Sequence, residues 1–463
     1  MASATAIKPA LHVEVRVLDV PGTIVRTDSV QKEVVEWLST QFLSLRIDQE
    51  VKGYEKLQQS AAIDSIKVVD CSANNSETSI YKLDEVRLDV QTYILYNGED
   101  GNSRSSSDDG NDEDSPHFNI SQLPSKKFVG LWDSLVFDRP TPATLLRFIT
   151  RMMTIASNPE LDQTLLNWNR LLLLHGPPGT GKTTLCRALA QKLTIRLGGR
   201  FTHGKLVEIN SPSMLSKWFG ESSRLVGKMF EGIHALADDE TTLVCILIDE
   251  VESLTGMRER VASGNEVGDA LRATNQVLTG LDRIKHRSNV MVFCTSNLLS
   301  AIDSAFLDRV DIKQFIPNPC ASAAYQILRT CFNEFVRCGI LVSSEDPQDI
   351  ADPSCTVSAD LNFTMSDWVF MDYEYFPTLQ QVNFHLWNRP HSPGRKLWSL
   401  AQRAEGLSGR ELRRLAFKAL ALHTFADPTT VLDGLSALAR VLDDEHPSFQ
   451  RENGKESNQY ECR

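Results

Sequence analysis

The stretch LLLLHGPPGTGKTT, residues 171–184, decides the fold. Four consecutive leucines, Leu171 to Leu174, are the pattern of a strand buried on both faces of a parallel sheet, and the LCRALAQKL that follows the glycine-rich turn has helical spacing. Strand, loop and helix in that order are the context in which G-x-x-x-x-G-K-[ST] cradles phosphate. Gly176, Gly179, Gly181, Lys182 and Thr183 meet the pattern, with Pro177, Pro178, Thr180 and Thr184 completing the loop. Backbone N–H groups bared by the glycines face inward, and the helix N-terminus adds its partial positive charge. Lys182 is expected to reach the β and γ phosphates and the Thr183 hydroxyl to take a position on Mg2+, so the expected ligand is ATP with Mg2+.

Working outward, further apolar runs suit parallel strands: KLVEIN at 205–210, LVCILIDE at 243–250, NVMVFCTSN at 289–297 and IKQFI at 312–316. Helical patterns separate them, which gives a doubly wound α/β domain with a five-stranded parallel sheet. Asp249 and Glu250 close one of these strands in the Walker B arrangement, where Asp249 helps hold magnesium and Glu250 polarises the attacking water. Asn297 ends the next strand and can orient water without adding charge. Arg309 follows Asp303, Ala305, Phe306, Leu307 and Asp308, at a place suited to an arginine finger; a surface ion pair is the plain alternative. Arg410, in Gly406-Leu407-Ser408-Gly409-Arg410, starts a helix from which it could fold back over the phosphates.

The N-terminal part reads as a small α+β domain over 1–96: LHVEVRV alternates as a half-buried strand, a helix follows near Ser29, and IDSIKVVDC and LDEVRLDVQTYILY suit strands. Residues 97–124 read as a linker, because NGEDGNSRSSSDDGNDEDS is acidic and nearly without apolar residues. A nucleotide domain is expected over 125–319, a helical lid over 320–445 interrupted by an irregular insertion near 343–395, and a polar tail over 446–463. The net charge of -12 argues against sequence-independent nucleic-acid binding. No apolar run reaches the roughly 18 residues of a membrane span, and the N-terminus lacks a signal-peptide core, so an intracellular protein is expected. The nine cysteines form no C-x-x-C pair, and Cys186, Cys245 and Cys294 fall in core elements, as reduced packing thiols do.

Walker A, Walker B with its DE pair, an Asn-ended strand, the DSAFLDR segment and a GLSGR helix start, followed by a helical lid, together resemble the AAA+ ATPases. More narrowly, SKWFGES, LIDEVESL, CTSN, FLDRVDIKQFI and EGLSGRELRRLAF make residues 10–440 similar to the pachytene checkpoint ATPases, which remodel HORMA-domain proteins in meiosis and the spindle checkpoint. The acidic linker and the insertion are longer than in that family's pattern. The resemblance implies a homo-hexameric ring that hydrolyses ATP and grips polypeptide in its pore. It assigns Lys217, Trp218, Phe219 and Gly220 to the first pore loop and Gly256 to Gly268 to a second; read from residue types alone, a Trp-Phe pair between a strand and a helix lies more often in a core, and Gly256 to Gly268 reads equally as a plain surface loop. It also implies that the N-terminal module receives a HORMA-domain substrate, often with a HORMA-fold adaptor, in nucleus and cytoplasm. Other readings are another AAA+ machine, a clamp loader or a microtubule-severing enzyme, and a non-catalytic protein that uses ATP to lock an assembly.

Overall fold

The alternating run LHVEVRV forms β1 (Ala10–Val17), and Leu11, Val13, Val15 and Val17 are all buried. Helix α1 (Thr27–Gln41) buries Val30, Val34 and Leu38, spaced four apart on one face, in the same core. After the short β2 (Ser44–Arg46), the strands β3 (Ile63–Cys71), β4 (Ile80–Lys82) and β5 (Arg87–Ile94) complete this part. β1 lies between β3, antiparallel to it, and β5, parallel to it, while β2 and β4 pair separately. The alternation suggests a half-buried strand, but β1 is covered on both faces: Glu14, on the polar side, is buried beneath Lys192, whose Nζ lies 2.6 Å away. The computed structural model describes residues 8–19, 26–73, 79–97, 118–158, 160, 168–211, 222–255, 267–342 and 375–445. The acidic stretch after Asn97, the pore-loop residues Lys217, Trp218, Phe219 and Gly220, residues 256–266 of the second pore loop, 343–374 of the insertion and the tail lie outside them.

The nucleotide-domain sheet has the order β11-β7-β10-β9-β8-β6. Its members are β6 (Phe118–Leu123), β7 (Leu171–His175), β8 (His203–Asn210), β9 (Thr242–Asp249), β10 (Val290–Ser296) and β11 (Ile312–Phe315). The five strands expected from apolar runs are parallel, and β6 adds a sixth, antiparallel to β8. This corrects the reading of 97–124 as linker to its end. FNISQL alternates, with Phe118 and Ile120 packed against the sheet core and Leu123 fully buried, but the acidic run before it masks so short a period-2 signal. Leu171 to Leu174 are at most 1% exposed, as a central parallel strand requires. Helices α2 (Thr141–Ile155), α3 (Lys182–Arg196), α4 (Ser222–Leu236) and α5 (Val267–Ile284) flank the sheet. Val226, Met229 and Ile233 of α4 and Val277 and Leu281 of α5 share one core with β7, β9 and β10, and α3 packs against β8, β9 and β10. Cys186, Cys245 and Cys294 are buried free thiols, and burial pushes Cys245 up to about 12. The N-terminal sheet, which has its own core, belongs to the same compact unit as this sheet.

Val136–Arg139, Pro177–Gly181 and the chain from Ile316 onward make a second unit. It is built from α6 (Ala321–Arg337), α7 (Leu379–His385), α8 (Pro393–Arg403), α9 (Gly409–His423) and α10 (Val431–Glu445), with β12 (Leu341–Val342) parallel to β13 (Thr429–Thr430). Tyr325, Leu328, Phe332, Leu397, Leu412 and Leu438 form its centre. The stretch read as an irregular insertion to 395 enters this core from Phe376 onward. Phe376 is fully buried, its N–H donates to Asn333 Oδ1 at 2.8 Å, and its carbonyl accepts from Arg329 Nε at 2.8 Å. Thr378 and Gln381 then form a capping box that starts α7, a signature hidden among the prolines and aromatics around it.

Candidate nucleotide site

In the first unit the phosphate side of the site begins where β7 ends. Gly176 has φ +144° and donates its N–H to the Ser296 carbonyl of β10 at 3.3 Å, tying the loop start to the neighbouring strand end. Lys182 opens α3 with only 6% of its surface exposed, and its Nζ donates to the Gly176 carbonyl at 2.8 Å. That bond holds the ammonium at the start of the loop. Next to it, burial and then the Lys182 charge lower the pKa of His175.

Thr183 Oγ1 donates to Asp249 Oδ1 at 2.7 Å, so the P-loop hydroxyl and the Walker B carboxylate meet. The same Oδ1 accepts from Thr295 Oγ1 at 2.5 Å, and that hydroxyl in turn accepts the Glu250 N–H at 3.0 Å. Thr295 therefore joins the two carboxylate residues, and its carbonyl also accepts the Val251 N–H at 2.9 Å. Glu250 sits at φ +55°, a left-handed conformation that costs a non-glycine residue about 1–2 kcal/mol and that clusters at functional sites. Its side chain is exposed at the strand end. Asn297 is exposed one residue beyond β10, with its N–H donating to Glu252 Oε1 at 2.9 Å. A hydroxyl and a carboxylate side by side beside a buried ammonium are hard oxygen donors of the kind Mg2+ takes, and they fit a magnesium–triphosphate.

Arg309 is held within its own chain. Nε and Nη2 grip the Asp282 carboxylate at 2.9 and 2.8 Å, and Nη1 donates to the Ala305 carbonyl at 2.6 Å. The hydrogen bond from Arg309 lowers the Asp282 pKa, and the same bond raises that of Arg309. The ion pair that the sequence offers as the plain alternative is thus present. Asp311 fixes the backbone beside it by accepting the N–H groups of Asn169 and Leu171 at 3.1 and 2.9 Å.

In the second unit Thr180 Oγ1 donates to the Pro177 carbonyl at 3.0 Å, and the Gly179 carbonyl accepts the Arg410 N–H at 3.1 Å. Arg410 is exposed in the first turn of α9, which Ser408 and Glu411 cap reciprocally. Thr295 and Asp282 are the members that sequence reasoning missed. Thr295 reads as one more strand-end residue, and Asp282 as a solvated helix end; the bonds that give them roles span 46 and 27 residues.

A family model described as ATPase family associated with various cellular activities matches residues 172–318. A TRIP13 N-terminal domain model matches 6–98, and a TRIP13-like AAA+ ATPase lid C-terminal domain model matches 320–446. The Pachytene checkpoint protein 2 homolog of Mus musculus is 36% identical over 439 residues, covering 94% of this chain and 93% of its own. Its counterpart in Homo sapiens is 42% identical over 321 residues, covering 69% and 68%. The solved structure of C. elegans PCH-2 is similar with a TM-score of 0.66 and 27% identity, over 95% of this chain and 99% of that one.

Proposed function

The chain belongs to the family of pachytene checkpoint protein 2 homologues and is an AAA+ ATPase, and from that premise we propose that it uses ATP to remodel HORMA-domain proteins. It partly unfolds them, changes their conformation and removes them from complexes in meiotic chromosome-axis and spindle-checkpoint control, in nucleus and cytoplasm. It works as a homo-hexamer, and its N-terminal part receives the substrate with a HORMA-fold adaptor. The observation that carries turnover, as opposed to ATP locking an assembly, is the joined set Thr183–Asp249–Thr295–Glu250 beside the buried Lys182.

Thr183 and Asp249 would hold Mg2+, which would supply charge neutralisation to the phosphate oxygens. Lys182 leaves the Gly176 carbonyl for the β and γ phosphates, with little reorganisation because that bond already holds it at the loop's start. Glu250, held at the strand end by Thr295, polarises the attacking water, and Asn297 orients it. Arg309 reaches the γ-phosphate of an adjoining subunit, and Arg410 reports its loss. By resemblance the first pore loop, Lys217 to Gly220, supplies the grip: a bulky apolar ring holds any polypeptide without reading its sequence.

The test is a capture experiment. Glu250→Gln protein, purified with ATP and magnesium from the cells that make it, is expected to bind ATP without turnover and to retain HORMA-domain proteins. The Trp218→Ala, Glu250→Gln variant should release them. Normal turnover in Glu250→Gln removes the assignment of the base. Sliding clamps or tubulin in place of HORMA-domain proteins removes the substrate class and leaves the ATPase.

A further inference from the structure

A long arginine side chain reaching out of its own subunit carries its full rotamer freedom unless something fixes it, and that freedom is lost each time it meets a phosphate. Arg309 is fixed. Its carrier segment is pinned on both sides: the Arg309 carbonyl accepts Asn169 Nδ2 at 3.0 Å, and its N–H donates to the Phe306 carbonyl at 3.0 Å. The guanidinium is then taken from the side by Asp282 through Nε and Nη2, a bidentate pair of planar groups, and once more by the Ala305 carbonyl through Nη1. Three of its five N–H hydrogens are used among the described residues, which leaves one on each terminal nitrogen.

Asp282 is itself well placed to hold a direction. It lies in the last turn of α5, whose Val277, Leu278, Leu281 and Ile284 are buried in the sheet core, so its carboxylate is carried on a rigid element. The pair is 28% and 41% exposed, so it is half in water and open to an incoming ligand.

We propose that Asp282 is the positioning residue of Arg309, gripping the guanidinium side-on so that its remaining N–H hydrogens meet the γ-phosphate bound by an adjoining subunit. The inference rests on the reading of Arg309 as an intersubunit finger. The pair is not a surface decoration and not a lock: it trades part of the guanidinium's attraction for a fixed orientation.

The test is a double-mutant cycle on the full chain, read by steady-state ATP hydrolysis. Asp282→Ala is expected to lower kcat by about tenfold or more, a fraction of the 10³–10⁵ a finger supplies. Its KM for ATP should stay within about twofold, because the substrate is bound by the other subunit's loop. Asp282→Glu should recover part of the loss, since it restores the carboxylate. The double variant with Arg309→Ala should be no slower than Arg309→Ala alone, because Asp282 acts only through that side chain. Asp282→Ala as active as the parent, or more active, overturns the proposal, and so does a loss that persists in full in the Arg309→Ala background. Wild-type kcat in Arg309→Ala is a different failure: it removes the finger reading and leaves nothing for Asp282 to position.

Discussion

Gly179 meets two demands at once. Its φ of +79° is left-handed, and a Cβ there would lie 2.7 Å from Ser408 Oγ and 3.1 Å from the Arg410 Cβ. The loop and the capped start of α9 approach each other across a missing side chain, and the Gly179 carbonyl uses the approach to accept the Arg410 N–H. Gly406, in the same unit, has φ +89° with nothing within 4 Å of the same construction. Alanine at either position pays the left-handed cost of about 1–2 kcal/mol. Only Gly179→Ala adds the collision, so it is expected to lower the urea midpoint further than Gly406→Ala and to weaken ATP binding by more than about tenfold. Equal midpoints with unchanged ATP affinity in the two variants would show that the approach to Ser408 costs nothing. At this scale the sequence is legible wherever the chemistry accepts few residue types. Lys182, Thr183, Asp249 and Glu250 are readable as candidates because a phosphate and magnesium site requires such groups at such spacing. Thr295 is not, since any small β-former ends a strand, and its bridging role exists only once β9 and β10 lie side by side.

Among the elements, α3 has the most to carry. It begins with Lys182 at the end of the glycine-rich loop and ends at Arg196, whose side chain is only 4% exposed and faces Asp70 of β3 at 3.4 Å. Lys192, one turn earlier, holds Glu14 of β1 at 2.6 Å, and Arg147 of α2 approaches Asp70 at 3.9 Å. One helix therefore ties the N-terminal sheet to the P-loop through buried charges. Burial lowers the Arg196 pKa, and Asp70 opposes that shift. Asp70→Ala removes the partner and leaves a guanidinium in the interior, at a cost of about 3–5 kcal/mol. Its thermal midpoint is expected to fall by several degrees, and adding Arg196→Met should recover much of the loss, because the stranded charge is gone. An Asp70→Ala protein that melts with the parent would mean that water reaches Arg196. The helix itself is legible, but its partner is not: α3 buries Leu185, Cys186, Ala188, Leu189, Leu193 and Ile195 around most of its circumference, so no apolar stripe points to a direction. β6 and α7 were hidden for the opposite reason, since each is a short signal embedded in polar or irregular sequence that dominates any window around it.

A ring is a property that one chain's internal contacts do not carry, so a homo-hexamer is implied by family resemblance and not by periodicity. What one chain does carry is a separation of roles. Arg309 is bonded to Asp282 and Ala305, while Lys182 is bonded to the Gly176 carbonyl and Thr183 to Asp249. If the finger acts across a subunit boundary, a site needs Lys182 from one protomer and Arg309 from the next. Arg309→Ala and Lys182→Ala proteins should then each be inactive alone yet complement when mixed. In a randomly mixed ring with equal inputs, half of all sites have Lys182 and half of those face a neighbour with Arg309, so about a quarter of the parent's ATPase is expected if sites fire independently. Recovery should follow subunit exchange and fall as either variant is put in excess, since both factors are then unequal. A finger acting on its own subunit's nucleotide gives no recovery at any ratio, because every site then lacks one of the two groups.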